Sequence, residues 1–286
     1  MNQSKWFTEI WAGDGSSFSL GIEELLHSEQ TPYQNIEIYK TTHWGNLMVL
    51  DGCYMVSDRD NFLYHEMMTH PALFTHPDPQ TVVIIGGGDC GTLSEVLKHP
   101  SVKKVVQVEI DERVTRVAEK FFPELCANNN DPRVEFVFGD GIQWIEQAAA
   151  NSIDLLIVDS TDPVGPAAGL FNREFFSQCL RVLGDQGLMV QQSESPLYHT
   201  HSIIKELHLE MKAAGLTQVH TLPFPQPIYP SGWWSCTMAS KDLNPKTYNR
   251  QRAEQKTFIT HYYNADIHQA ALAYPEFMRR GLESLT

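Results

Sequence analysis

The chemistry begins at Gly86-Gly87-Gly88-Asp89-Cys90-Gly91, which directly follows the apolar run Val82–Ile85. Glycines at 86, 88 and 91 match the pattern GxGxxG, which permits a tight turn and close approach of the backbone to a ligand beside a helix N-terminus. The pattern alone is weak evidence, and its surroundings strengthen it. Glu109 stands 23 residues after Gly86, at the end of a second apolar run, where a carboxylate suits the two hydroxyls of a ribose. Dinucleotides and S-adenosyl compounds compete for such a site. Asp89 puts a negative charge where a pyrophosphate would lie, whereas a sulfonium nucleoside carries positive charge. A third run ends at Gly139-Asp140-Gly141. There Asp140 can accept from an adenine amino group and the Gly141 N–H can serve a ring nitrogen. Three such tips favour a nucleoside site of the methyltransferase kind.

A fourth run ends in Asp159-Ser160-Thr161-Asp162-Pro163. Loop aspartates often do no more than cap a turn. Here, however, they join Asp89, Glu109 and Asp140, and five carboxylates in one crevice repel each other unless a cation intervenes. A metal ion would answer, but no His/Asp spacing resembles a ligand set. A polycationic substrate is the other answer. His65, His70 and His76 read as core or surface histidines, and Cys90 as a small filler, since a reactive thiol needs exposure and a lowered pKa.

These residues need a parallel sheet to bring them together. From Thr81 onward, apolar runs alternate with helical ones: strands at 82–85, 104–110, 134–138, 155–158 and 188–191, and helices at 92–98, 112–122, 142–150, 173–183 and 202–214. That is an α/β fold with a doubly wound sheet. A Pro-studded loop, 223–230, precedes a last strand at 233–239, where Trp233 and Trp234 straddle two faces. Residues 1–60 read instead as a small antiparallel β module, with strands near 34–40, 47–50 and 53–57. The catalytic domain is then 61–286. It opens on a helix over 61–74, for which Asp60 is the expected N-cap and Pro71 a stop or kink.

Composition bounds the partners. The 286 residues include 21 Lys+Arg against 35 Asp+Glu, a net charge of −14 that disfavours nucleic acid and attracts cations. No apolar run approaches the roughly 20 residues that span a bilayer, and no apolar leader is seen near Met1. Five scattered cysteines, without a CxxC pair, fit a reducing cytoplasm.

With these motifs in place, the sequence resembles the polyamine aminopropyltransferases, and among them the spermidine synthases. The resemblance runs in order through Leu50-Asp51-Gly52, Arg59-Asp60, Tyr64-His65-Glu66-Met67, Gly86–Gly91, Val108-Glu109-Ile110-Asp111 and Gly139–Gly141. It continues through Asp159–Pro163 with Gly165-Pro166, Gln192–Pro196 and Tyr229–Gly232. It implies a Rossmann-like methyltransferase-fold domain behind an N-terminal β domain, in a homodimer or homotetramer. The implied reaction moves the aminopropyl group of decarboxylated S-adenosylmethionine to putrescine, with no prosthetic group and no metal.

Carried over by position, Gln34, Glu109, Asp140, Gly141 and Pro166 would hold the methylthioadenosine part, over the turn of Gly86, Gly88 and Gly91. Asp89 would hold the aminopropyl amine. Tyr64, His65, Asp162, Glu194, Tyr229 and Trp11 would lie on the diamine side, and Asp159 would be the base. Three positions depart from the family pattern, which often has Gln at Met55, Gly at Cys90 and Glu at Ala168. Those departures leave another acceptor open, such as cadaverine, agmatine or spermidine. An amine N-methyltransferase on the same scaffold and a non-catalytic polyamine sensor are further readings. Asp89 disfavours the first, because it would repel the carboxylate of S-adenosylmethionine. Tyr64, Asp159 and Asp162 together disfavour the second.

Overall fold

The computed structural model describes residues 5–162 and 165–282. Five antiparallel strands come first, in sequential order: β1 (Lys5–Trp11), β2 (Ser16–Gln30), β3 (Asn35–Thr41), β4 (Asn46–Leu50) and β5 (Cys53–Ser57). Helix α1 (Asn61–Thr75) leads into the second body. Alternating elements follow: β6 (Thr81–Gly86), α2 (Gly91–Leu97), β7 (Lys104–Glu109), α3 (Glu112–Phe121), β8 (Val134–Phe138), α4 (Gly141–Gln147) and β9 (Leu155–Asp159). Then come α5 (Arg173–Leu183), β10 (Leu188–Gln192), α6 (Pro196–His199), α7 (Ile203–Ala213), β11 (Gln218–Pro225) and β12 (Trp233–Ser240). Three short helices close the chain: α8 (Arg250–Glu254), α9 (Ala265–Ala271) and α10 (Glu276–Leu282).

The seven strands β6–β12 form one sheet in the order β11-β12-β10-β9-β6-β7-β8. Strands β10, β9, β6, β7 and β8 are parallel, and β12 and β11 add antiparallel. Strand alternation divides the core. Val82 and Ile84 pack on one face with Met67, Met68, Leu93 and Val96, while Val83 and Ile85 pack on the other with Leu156, Phe176 and Leu207. The N-terminal sheet is fastened to this body by Ile36, Ile38, Met48 and Val56, which bury against Val114, Val117 and Phe122 on and beside α3.

Several sequence expectations need correction. Helix α1 does not stop at Pro71 but runs on to Thr75, because residues 64–75 are buried and their packing outweighs one lost backbone bond. Asp60 stands at the N-cap position without capping; its carboxylate accepts instead from Ser57 Oγ at 2.6 Å. Residues 218–225 form a strand where a Pro-rich loop was expected in part. Pro223 and Pro225 are tolerated there because β11 is the sheet's edge. Helix α4 ends at Gln147 rather than Ala150, and the strands β1 and β2 and the helices after 240 carried no clear periodic signal.

One buried contact ties the C-terminal segment to α1. The Glu66 carboxylate, fully buried, accepts from the backbone N–H groups of His261 (2.7 Å), Tyr262 (2.9 Å) and Tyr263 (2.7 Å). Glu66→Ala orphans three donors at once and is expected to lower the unfolding free energy by about 3 kcal/mol. The expected reading is a lower urea midpoint at unchanged slope. An unchanged midpoint would show that the segment is not held by this carboxylate.

Candidate active site

The parallel strands turn their carboxyl ends toward one cavity of about 500 Å³. The topological switch point lies between β6 and β9, since the chain proceeds from β6 outward through β7 and β8 but from β9 outward to β10. Ligands of doubly wound sheets bind there. The glycine turn belongs to this junction. Gly87 N–H donates to the Asp159 carbonyl at 2.8 Å, and Gln107 Nε2 donates to the Gly87 carbonyl at 2.6 Å. Gly86 sits at φ +82°, and a Cβ there would meet the Asp159 carbonyl oxygen at 2.2 Å. A Cβ at Gly91 would lie 2.1 Å from the His65 ring. These glycines therefore let the turn close over β9 and α1.

Asp89, Glu109, Asp140, Asp159 and Asp162, the five predicted acids, all line this cavity. Gln34, Tyr64, Gly86, Gly88, Gly141 and Tyr229 line it too. His65, Gly91, Glu194 and Trp11 do not. His65 lies beneath Asp89, its Nε2 3.1 Å from Asp89 Oδ2, so its contact is with that carboxylate and not with the cavity. Glu194 stands behind Asp162, and Trp11 Nε1 donates to Glu9 Oε1 at 2.7 Å. Pro166 belongs to the 3-10 stretch Gly165–Phe171, and its side chain, like Pro163, lies outside the described residues. Ala168 is exposed in the same stretch, while Met55 lines the cavity with its carbonyl accepting from Tyr229 Oη at 2.6 Å.

Each acid is managed differently. Burial works to raise Asp89, yet the charge and hydrogen bond of His65 and the Gly91 N–H at 2.8 Å hold it below the usual carboxylate range. Burial opposes charge on His65 in turn, but Asp89 lifts the ring to about 9, so the two form an ion pair. Asp159 is raised by burial and by the Asp89 charge, against short bonds from Thr92 Oγ1 to Oδ2 and from Tyr64 Oη to Oδ1, both 2.6 Å. Tyr64 itself is pushed well up by burial and by Asp159, so it remains a phenol that donates. Glu109 is lifted to about 7 by burial, with its Oε1 accepting from the Asp111 N–H at 2.9 Å.

Asp140 caps α4, its Oδ1 accepting from the Ile142 N–H at 2.8 Å. Gln34 Nε2 donates to Asp111 Oδ2 at 3.0 Å, which joins the N-terminal sheet to the tip of β7. Farther along the crevice, Glu194 stands close to Asp162, and His199 Nδ1 lies 3.6 Å from Glu194 Oε2. Burial and the Asp162 charge push Glu194 to about 9, and burial raises Asp162. Keeping Glu194 protonated spares the crevice a second buried negative charge beside Asp162.

Sequence reasoning missed four residues here. Glu9, the one buried residue of β1, accepts from the Tyr54 N–H at 2.8 Å; burial raises it, and the Asp162 charge adds to that. Its signal, one acid in an unassigned strand, was too faint to use. Asp111 and Glu66 stand in motifs that gave them no role, and Thr92 gave no signal. Cys90 is buried in the glycine turn, and contact with Cys126, together with burial, pushes its thiol far up, which is the chemistry of a filler. Among the described residues, no group of three or more His, Cys, Asp or Glu is arranged to hold a metal ion. Nor is any described helix long and apolar enough to cross a membrane.

Comparison with known proteins agrees with this geometry. Residues 61–250 match the spermine/spermidine synthase domain, and residues 5–58 match the spermidine synthase tetramerisation domain. A polyamine aminopropyltransferase of Methylococcus capsulatus is 62% identical over 98% of each chain, and one of Thioalkalivibrio sulfidiphilus is 60% identical over 97% of each. Among solved structures, a spermidine synthase in complex with the transition-state analogue AdoDATO is 33% identical. It superposes with a TM-score of 0.94 over 99% of this chain and 96% of that one. Spermidine synthase from Thermotoga maritima gives a TM-score of 0.92 at the same identity and coverage. These likenesses run over nearly the whole chain that gathers its acids at the switch point, and the protein belongs to the polyamine aminopropyltransferases, transferases of the spermidine synthase family.

Proposed function

We propose that this enzyme transfers the aminopropyl group of decarboxylated S-adenosylmethionine to putrescine. The products are spermidine and 5′-methylthioadenosine. The observation that carries the reading is the row Asp89, Asp159, Asp162 along one cavity, which offers anionic stations to a cationic donor and a doubly charged acceptor. Glu109 takes the ribose hydroxyls, Asp140 and Gly141 the adenine, and Gln34 and Pro166 the flank of the nucleoside. Asp89 takes the aminopropyl ammonium, which then competes with His65 for the carboxylate. Tyr64 and Tyr229 wall the acceptor, and Asp162 and Glu194, with Glu9 and Trp11 beside them, anchor its distal ammonium.

In the transfer, the lone pair of the near amine attacks the carbon bonded to the sulfonium. The C–S bond breaks toward sulfur, which leaves as a neutral thioether, and the amine proton passes to Asp159. An alkyl amine has a pKa of roughly 10.4, so it arrives charged and must first lose a proton. The raised Asp159 narrows that gap without closing it. Orientation of two cations by fixed acids supplies much of the rest. The division of the chain near residue 60 goes with this reading, as does a homodimer or homotetramer built through the N-terminal sheet, where Trp6 and Ile10 are exposed.

Three outcomes test the proposal. First, with decarboxylated S-adenosylmethionine and a panel of amines read by mass spectrometry, putrescine is expected to lead cadaverine and agmatine. Butylamine should be poorer by about 100-fold or more, because it leaves buried carboxylates unpaired. Equal rates for butylamine and putrescine would remove the distal anchor and the reading with it. Second, Asp89→Ala should weaken the donor far more than 5′-methylthioadenosine, which lacks the ammonium; equal losses would reduce Asp89 to a turn-former.

The third test uses pH. Glu194 is protonated below about 9, and an incoming ammonium must displace that proton. The KM for putrescine should therefore fall as pH rises from neutrality toward 9, by at most roughly tenfold per unit. Glu194→Gln should flatten that slope, and a slope that survives the substitution would place the linked proton elsewhere.

A further inference from the structure

We propose that Thr92 is a positioning residue for the transfer, its hydroxyl clamping the Asp159 carboxylate from the side opposite Tyr64. The inference rests on the reading of Asp159 as the base. Thr92 is fully buried in the first turn of α2 and does not line the cavity, so it acts on substrate only through Asp159. Its Oγ1 donates to Oδ2 at 2.6 Å while Tyr64 Oη donates to Oδ1 at 2.6 Å. Distances this short mark charge-assisted bonds to a carboxylate.

A bond at each oxygen fixes the rotation of the carboxyl plane about its own axis. Each oxygen keeps a second lone pair to receive a proton from an amine. The main chain of Asp159 is fixed as well, its carbonyl accepting from the Gly87 N–H. The base is thereby held at three points before substrate arrives.

The choice of donor has a chemical consequence. A hydroxyl carries no charge, so it orients the carboxylate while weakening it less than an ammonium or guanidinium would. The titratable groups facing Asp159 are Asp89 on the glycine turn, His65 and Tyr64 on α1, Glu109 at the tip of β7 and Tyr229 after β11. Among the described residues the hydroxyl of Thr92 bonds none of these, so its removal changes Asp159 first.

Thr92→Val keeps the shape and deletes the donor. Loss of a bond to the charged form raises the pKa of the carboxyl. The acid limb of the kcat profile with putrescine should then move up by about one pH unit, and kcat at neutral pH should fall roughly tenfold. Affinity for 5′-methylthioadenosine should stay unchanged, and Thr92→Ser should restore both limb and rate.

A Thr92→Val enzyme with an unmoved acid limb, whether or not kcat falls, overturns the proposal, as does a Thr92→Ser enzyme that behaves like the valine variant. Should the valine variant fail to bind 5′-methylthioadenosine, Thr92→Ser and Thr92→Ala are read against each other on the same profile. Asp159→Asn separates the two levels. If it is inactive while Thr92→Val is normal, the clamp falls and the base stands. If Asp159→Asn turns over normally, the base and the clamp both fall.

Discussion

Like charges held close in a buried place are the constraint on which this molecule is organised. Pairing of β6 with β9 sets Gly86 opposite Asp159, and the turn that follows sets Asp89 within electrostatic reach of it. Asp159 cannot be moved away without breaking the sheet, nor Asp89 without opening the glycine turn. The protein meets the repulsion in three ways along one crevice. At Asp89 it supplies a protonated histidine; at Asp159, two neutral hydroxyls; at Glu194, a carboxyl that burial and the Asp162 charge keep protonated. Each device costs less than an unpaired buried charge.

The frame around the acids is correspondingly rigid. Tyr64 and His65 meet Asp159 and Asp89 because α1 is buried along most of its length and clamped at Glu66 by three backbone donors from the C-terminal segment. Gln107, in the middle of β7, holds the Gly87 carbonyl, so that the glycine turn is fixed from beneath. The N-terminal sheet enters the same frame. Its Gln34 bonds Asp111, Asp111 bonds Glu109 through the backbone, and Glu9 closes the far end of the crevice near Asp162.

Much of the fold was legible because its signals are local. Parallel strands buried on both faces read as unbroken apolar runs, and helix α5 was placed with its observed bounds because its apolar spacing ends at Gly184. Local signals also misled. Pro71 reads as a helix stop, and only burial of the helix shows why it is not. Pro223 and Pro225 read as loop, and only their place on the sheet's edge admits them to a strand.

At the site, the order of the acid-bearing strand tips and the glycine turn between them could be read from the chain alone, because strand, turn and helix are set by neighbours along it. Which groups meet is a matter of packing. Thr92 reaches Asp159 across 67 residues, Glu66 reaches Tyr263 across 197, and Glu9 comes within range of Asp162 from another sheet. No periodicity encodes such pairs. They depend on strand order, on the register of β6 against β9 and on how α1 is seated, and these are settled only when the whole core packs.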